Sequence, residues 1–283
     1  MLCLMTSGRL HGHQSKVSRL AGWAAILALV ALWALCATAS AAPSLPLANA
    51  GFDYQIGGAY RPAASVRIVD RDRGDDPAPG RYNICYLNAF QTQTDEAAWW
   101  KGQHRGLLLT RRGRYVIDAA WNEIVLDIST PAKRRALAAI VGRWIDGCRR
   151  AGFQAIEPDN LDSYTRSRGA LTAADAKAFA RLLTARAHAA GMAIAQKNAA
   201  EFAPAGQSLG FDFAIAEECN VYHECGAYTK AYGARVFEIE YPDNGGVENY
   251  QAACEGRGKR ISIVYRDRAV VPRGRSGYQF RGC

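Results

Sequence analysis

The sequence predicts an α/β protein built as a (β/α)8 barrel, on three observations. Short apolar, β-branched runs alternate with stretches of helical periodicity, the pattern of parallel strands joined by crossover helices. About 240 residues remain once an N-terminal export signal is set aside, close to the roughly 250 that such a barrel needs. Several of the strand candidates end in an acid, an amide or a tyrosine, and barrel sites are built at C-terminal strand ends.

The export signal comes first in the chain. Arg9, Lys16 and Arg19 make a basic start with no acid, Leu20 to Cys36 is an apolar run, and Ala39-Ser40-Ala41 fits a small-residue cleavage site. The prediction is a signal peptide over residues 1–41 and one catalytic domain over 42–283. An uncleaved anchor is the alternative. The bulky Trp33-Ala34-Leu35 before Cys36 argues against lipid attachment there.

Nine runs then qualify as strands: Phe52–Gln55, Val66–Asp70, Tyr82–Leu87, Ile124–Ile128, Ala155–Glu157, Ala193–Gln196, Phe211–Ala216, Val236–Glu240 and Ile261–Tyr265. Nine is one too many. Gly57–Ser65, between the first two, is too short for a helical crossover, so one of that pair is read as a short extra N-terminal strand outside the ring. The polar stretch Asp70 to Gly80 reads as a surface loop. Thr130-Pro131 starts a helix whose apolar positions Leu137, Ile140, Val141, Trp144, Ile145 and Cys148 form one stripe. Thr172 with Asp175 three residues on starts another, which runs to Gly191. An open doubly wound sheet ranks second, because no glycine-rich phosphate loop opens any helix.

Composition narrows the function. The chain is basic overall, at +9, but only Arg111, Arg112 and Arg114 cluster, which gives nucleic acid no evident footprint. No run after the leader is long and apolar enough for a membrane span. Six cysteines follow the leader, an even number that suggests disulfides in an exported chain. The predicted pairs are Cys85–Cys148, Cys219–Cys225 and Cys254–Cys283. Cys148 fits equally as a buried thiol on its helix stripe. Cys219-x3-His223-x-Cys225 also resembles a zinc half-site, which the short disulfide loop outranks.

The strand ends carry the chemistry. They supply Asp127, Glu157, Asp159, Asn160, Asp162, Lys197, Asn198, Glu217, Glu218, Glu240 and Tyr241, with Tyr86, Trp121 and Tyr164 nearby. Many acids beside aromatic rings suit sugar chemistry, in which two carboxyl groups work as a pair. Asp127 and Asp162 fit equally as helix-capping acids. Glu157, Asp159 and Asp162 are spaced closely enough for a hard cation, but match no calcium loop and have no histidine beside them, so no metal and no cofactor is expected. Ser-His-Asp hydrolysis and nicotinamide or flavin chemistry lack their motifs.

The strings themselves then point to a family. FDYQIGG (52–58), YNICYLNAFQTQ (82–93), GFQAIEPDNLDSY (152–164), AQKN (195–198), FDFAIAEECNVYHEC (211–225) and FEIEY (237–241) resemble glycoside hydrolase family 114, the endo-α-1,4-polygalactosaminidases. The resemblance spans about Gly51 to Cys283. It implies a (β/α)8 barrel that cleaves galactosamine-containing polymers internally, with Asp159 as nucleophile and Glu217 as general acid/base in a retaining mechanism. Glu218 is the fallback for Glu217. Tyr54, Tyr86, Asp127, Asn160, Asp162, Tyr164, Lys197, Asn198, Glu240 and Tyr241 are expected to bind the substrate. The expected protein is a secreted or periplasmic monomer whose partner is a polysaccharide, without nucleic acid or, after cleavage of the leader, membrane. A non-catalytic carbohydrate-binding barrel and a polysaccharide deacetylase are the alternatives.

Overall fold

Eight parallel strands follow one another around a nearly closed ring in the computed structural model, which describes residues 42–283. They are β1 (Phe52–Tyr54), β2 (Ile68–Asp72), β3 (Tyr82–Asn88), β4 (Ala155–Asp159), β5 (Ala193–Lys197), β6 (Phe213–Glu217), β7 (Val236–Glu240) and β8 (Ser262–Arg266). Each pairs in parallel with the next. Side chains tie the seam between β8 and β1. Ser262 Oγ donates to the Ala50 carbonyl at 2.7 Å, and the buried Arg266 guanidinium reaches the Tyr54 carbonyl and Asp53. A ninth strand, β9 (Phe280–Gly282), lies antiparallel on β8. The predicted signal peptide falls outside the described residues.

The two-residue period of a strand sorts the side chains. Phe52, Ile68, Ile84, Ala155, Ala193, Ala195, Phe213, Ile215, Phe237, Ile239 and Val264 fill the barrel interior. The opposite parity, including Leu87, Ile156, Ile194, Ala214 and Ala216, packs outward under the helices. Continuing the inward parity to the C-terminal ends brings Tyr54, Asp70, Tyr86, Glu157, Asp159, Lys197, Glu217 and Tyr241 to the barrel mouth.

Both predicted helices form. Helix α2 (Pro131–Ala151) is capped by Thr130, which accepts the Lys133 amide, and ends at Gly152 with φ of 104°, where a side chain would be strained. Leu137, Ile140, Val141, Ile145 and Cys148 face the core; full burial of such a side chain stabilises by about 1.5–3 kcal/mol. Helix α3 (Ala173–Ala189) has the full reciprocal cap between Thr172 and Asp175. Among the described residues the other α-helices are α1 (Ala97–Gln103), the single turn α4 (Gly206–Leu209), α5 (Cys225–Tyr232) and α6 (Gly246–Arg257). All three expected disulfides are present, Cys85–Cys148, Cys219–Cys225 and Cys254–Cys283. The first ties β3 to α2. The second rules out the zinc half-site, because its sulfurs are bonded to each other.

Three expectations need correction. The first two strand candidates both belong to the ring, so the extra strand is C-terminal. The links from β1 to β2 and from β2 to β3 cross over without a helix. The Arg71 side chain braces them by bonding Gln55, the Tyr60 carbonyl and the Asp76 carbonyl. The run outside the ring is Ile124–Ile128: only Glu123–Ile124 is strand, in a two-residue ribbon with Ile117–Asp118. Its apolar character serves burial beneath the long β3–β4 excursion, with Val125, Leu126 and Ile128 fully buried. Finally, the stretch read as a surface loop from Asp70 begins inside β2, and Asp70 is fully buried.

Candidate active site

At the barrel mouth the inward strand ends line a cavity of about 400 Å3 that contains Tyr54, Tyr86, Asp159, Asn160, Asp162, Lys197, Asn198, Glu217 and Tyr241. Lys197 stands at its base. Its Nζ donates to Glu157 Oε1 at 2.6 Å and to the Tyr54 hydroxyl at 2.8 Å. It also lies 3.4 Å from Asp159 Oδ1 and 3.3 Å from Glu217 Oε2. One ammonium therefore holds three carboxyl groups from neighbouring strands.

Asp159 and Glu217 are each oriented from several sides. The Tyr86 hydroxyl donates to Asp159 Oδ2 at 2.8 Å, and the Asn160 amide donates to Oδ1 at 2.7 Å. Asn198 donates its side-chain amide to Glu217 Oε2 and accepts the Glu217 backbone amide, both at 2.9 Å. The Tyr241 hydroxyl donates to Glu217 Oε1. Burial pushes the Glu217 carboxyl up, but Lys197, Tyr241 and Asn198 outweigh it and hold the group below the usual glutamate range. Burial disfavours the Lys197 ammonium, and the surrounding carboxylates more than compensate, raising it well above an ordinary lysine.

Glu218 turns away. Its φ of 59° breaks the strand parity, and Arg268 clasps its carboxylate at 2.6 and 3.1 Å. Of the two adjacent glutamates, Glu217 is therefore the one beside Lys197.

Three expected binding residues lie elsewhere. Asp127 sits before α2, where it accepts from Ser129 and pairs with Lys133; these partners outweigh burial and lower its pKa. Tyr164 stacks on Phe202 at 5.8 Å and bonds Glu201. Glu240 has outward parity on β7 and is fully buried against α6, bonded by the Asn220 amide at 3.0 Å and Asn249 at 2.6 Å.

Sequence reasoning passed over other residues of the cavity: Gln93, Asp118, Glu123, Arg166 and Arg268. Glu123 accepts from Asn88 at 2.8 Å, and burial is the main cause that pushes its carboxyl up to about 7. Arg166 bonds Asp118, Asp162 and Asn160 across the same wall. The available signal was Asp118 to Glu123, a polar turn carrying the half-exposed Trp121, which also lines the cavity.

A barrel with two carboxyl groups held at its C-terminal mouth, between tyrosines and amides, has the equipment of a glycoside hydrolase. The sequence profile of glycoside-hydrolase family GH114 matches residues 34–283, and the chain belongs to that family. Among solved structures, Ega3 of Aspergillus fumigatus, in complex with galactosamine, is similar at 23% identity and a TM-score of 0.68. The alignment covers 86% of this chain and 98% of that one. The glycoside hydrolase domain of PelA from Pseudomonas aeruginosa is similar at 18% identity and a TM-score of 0.54, over 83% of this chain and 98% of the other. At these identities the two structures establish the fold. A search of curated proteins returned no match.

Proposed function

We propose that the protein is a secreted, endo-acting hydrolase of α-1,4-linked galactosamine-containing polysaccharide, with Asp159 and Glu217 as the reacting pair. The convergence of both carboxyls on Lys197 carries this reading. The two Lys197 distances, laid end to end, reach only the bottom of the 6.5–9.5 Å or so typical of inverting enzymes, and readily accommodate the roughly 5–5.5 Å of retaining ones. The reading adopts a retaining displacement. Asp159 attacks the anomeric carbon and forms a glycosyl ester as Glu217 protonates the leaving oxygen; Glu217 then takes a proton from water, which releases the sugar. The ionised state of Glu217 in the free cleft favours a second reading with the roles exchanged, in which Glu217 attacks.

A polymer of galactosamine is cationic where it is not acetylated. The cavity wall offers Asp118, Glu123, Asp159, Asp162 and Glu217 against Lys197, Arg166 and Arg268, an excess of acid within a basic protein. Contacts inside the cleft are screened far less than the long-range repulsion, which fades beyond about 8 Å at physiological salt. Ega3, crystallised with galactosamine, supports the same sugar here. Residues 1–41 are assigned as the signal peptide and 42–283 as the catalytic domain. Three disulfides accord with export, and no described helix is long and apolar enough to cross a membrane.

The test is to incubate the mature protein with α-1,4-linked galactosamine polymer before and after full chemical N-acetylation. Released oligomers are followed by mass and the newly formed anomer by NMR. The reading expects oligomers, faster from the unacetylated polymer, with an α-anomer formed first. Equal or faster cleavage of the acetylated polymer removes the cationic preference; no cleavage of either removes the substrate.

A further inference from the structure

We propose that Asp70 and Glu157 share one proton beneath the cleft, and that this proton leaves the charge of Lys197 to Asp159 and Glu217. The second half rests on the reaction proposed above; the first does not.

Asp70 points inward near the end of β2, is fully buried, and has no donor for either side-chain oxygen among the described residues. Glu157 is fully buried on β4. Its Oε1 accepts from Tyr54 at 3.0 Å and from Lys197, whereas Oε2 has no donor among the described residues. Inward parity on β2 and β4 aims both carboxyls into the same buried end of the barrel, and a hydrogen bond with Glu157 is among the causes that raise the Asp70 carboxyl. Two ionised carboxylates could not remain there: they repel, and three buried oxygens would go unsatisfied. A single proton converts the contact into an O–H donated from Asp70 to Glu157.

Charge balance requires the same proton. The groups around Asp70 are Tyr54 on β1, Glu157 and Asp159 on β4, Lys197 on β5 and, beyond the lysine, Glu217 on β6. Four carboxyl groups thus surround a single cation. Burial above all, and then the charge of Glu157, raises the Asp70 carboxyl well above the ordinary range. With Asp70 neutral, Glu157 needs only one Lys197 hydrogen, and the remaining hydrogens face Asp159 and Glu217. Asp70 is then a positioning residue: it acts on the reacting pair through Glu157 and Lys197.

Two variants test this, and the first needs no substrate. The conservative Asp70→Asn replaces the acid proton by an amide donor. Wild-type protein in heavy water near neutral pH should show infrared absorption from protonated carboxyl groups, to which Glu240 and Glu123 contribute, and the wild-type minus D70N difference spectrum should contain one further protonated-carboxyl band. The folded state keeps a proton that the unfolded chain releases above the usual aspartate pKa of 3.8, so wild-type stability declines as pH rises from there towards the raised folded value. D70N escapes that decline, and its Tm relative to wild type should climb steadily between pH 5 and 9. A difference spectrum without that band, or a D70N Tm that falls further below wild type as pH rises, overturns the shared proton; an ionised Asp70 held by water or a cation would give that result. D70N should keep kcat within about tenfold on any polymer the wild type cleaves, whereas Asp70→Leu should lose about a hundredfold in kcat with little change in KM. A fully active D70L, or a D70N as inactive as Asp159→Asn, overturns the positioning role.

Discussion

Two buried acid–base clusters lie on opposite faces of the same sheet. Inside the barrel, Lys197 gathers Glu157, Asp159 and Glu217 beneath an open cavity. Outside it, Arg257 of α6 holds Glu238 at 2.9 Å, while Asn220 and Asn249 close over Glu240. Both clusters place several carboxyls near one cation, and both contain a carboxyl that burial pushes upward. Only the inner one meets a space that a substrate could enter. Strand-end acids therefore carry no function by position alone. Parity decides it: Glu217 and Tyr241 are inward positions, Glu238 and Glu240 outward ones.

The comparison breaks most sharply at the inner pair. Asp159→Asn and Glu217→Gln should each lower turnover by at least the ~10²–10⁴-fold of a lost acid/base group, with far-ultraviolet circular dichroism and Tm close to wild type. An active Glu217→Gln together with an inactive Glu218→Gln would move the function to the wrong neighbour.

Lys197→Met tests the hub. Removing one partner from a buried ion cluster destabilises by about 3–5 kcal/mol unless the acids take up protons. Lys197 is what pulls Glu217 down against burial, so its loss should raise the Glu217 pKa. With Glu217 as the general acid, the alkaline limb of the kcat/KM profile, where its proton is lost, should move to higher pH; with the roles exchanged, the acidic limb should move instead. A profile in which neither limb moves would mean that Lys197 fills space and does not set charge.

Glu240→Gln is the control from the outer cluster and should leave kcat within about twofold of wild type. Its effect belongs to stability. Burial, chiefly, raises the Glu240 carboxyl from 4.5 to about 8 in the folded protein. The folded state retains that proton while the unfolded chain releases it, so wild-type stability drops as pH rises across this window. The amide variant lacks the drop and should gain Tm relative to wild type from pH 5 to 8. A large loss of activity would place Glu240 in the cleft, where the sequence first put it.

The sequence by itself determined a good deal. Helix starts at Thr130-Pro131 and Thr172 depend on local capping, so they were legible, as were all eight ring strands as apolar runs in their proper order. One of the pair Phe52–Tyr54 and Ile68–Asp72 was wrongly set outside the ring, because a short link suggested no crossover; long-range bonding by Arg71 makes that link work. That Asp159 and Glu217 meet at one rim was also readable, since strand ends in a barrel face the same side. The tertiary structure decided what has no local mark. A continuous apolar run such as Ile124–Ile128 is apolar for burial of any kind, and only packing showed it to lie under a loop. Glu123 and Arg166 reach the cavity from loops whose path depends on contacts with distant chain. Asp70 sits in a charged string and looks solvated; the barrel buries it because its neighbours in space come from β4 and β5, more than eighty residues away. Sequence spacing records which side chains are available. Closure of the ring decides which of them lose water together, and that loss gives the buried carboxyls their chemistry.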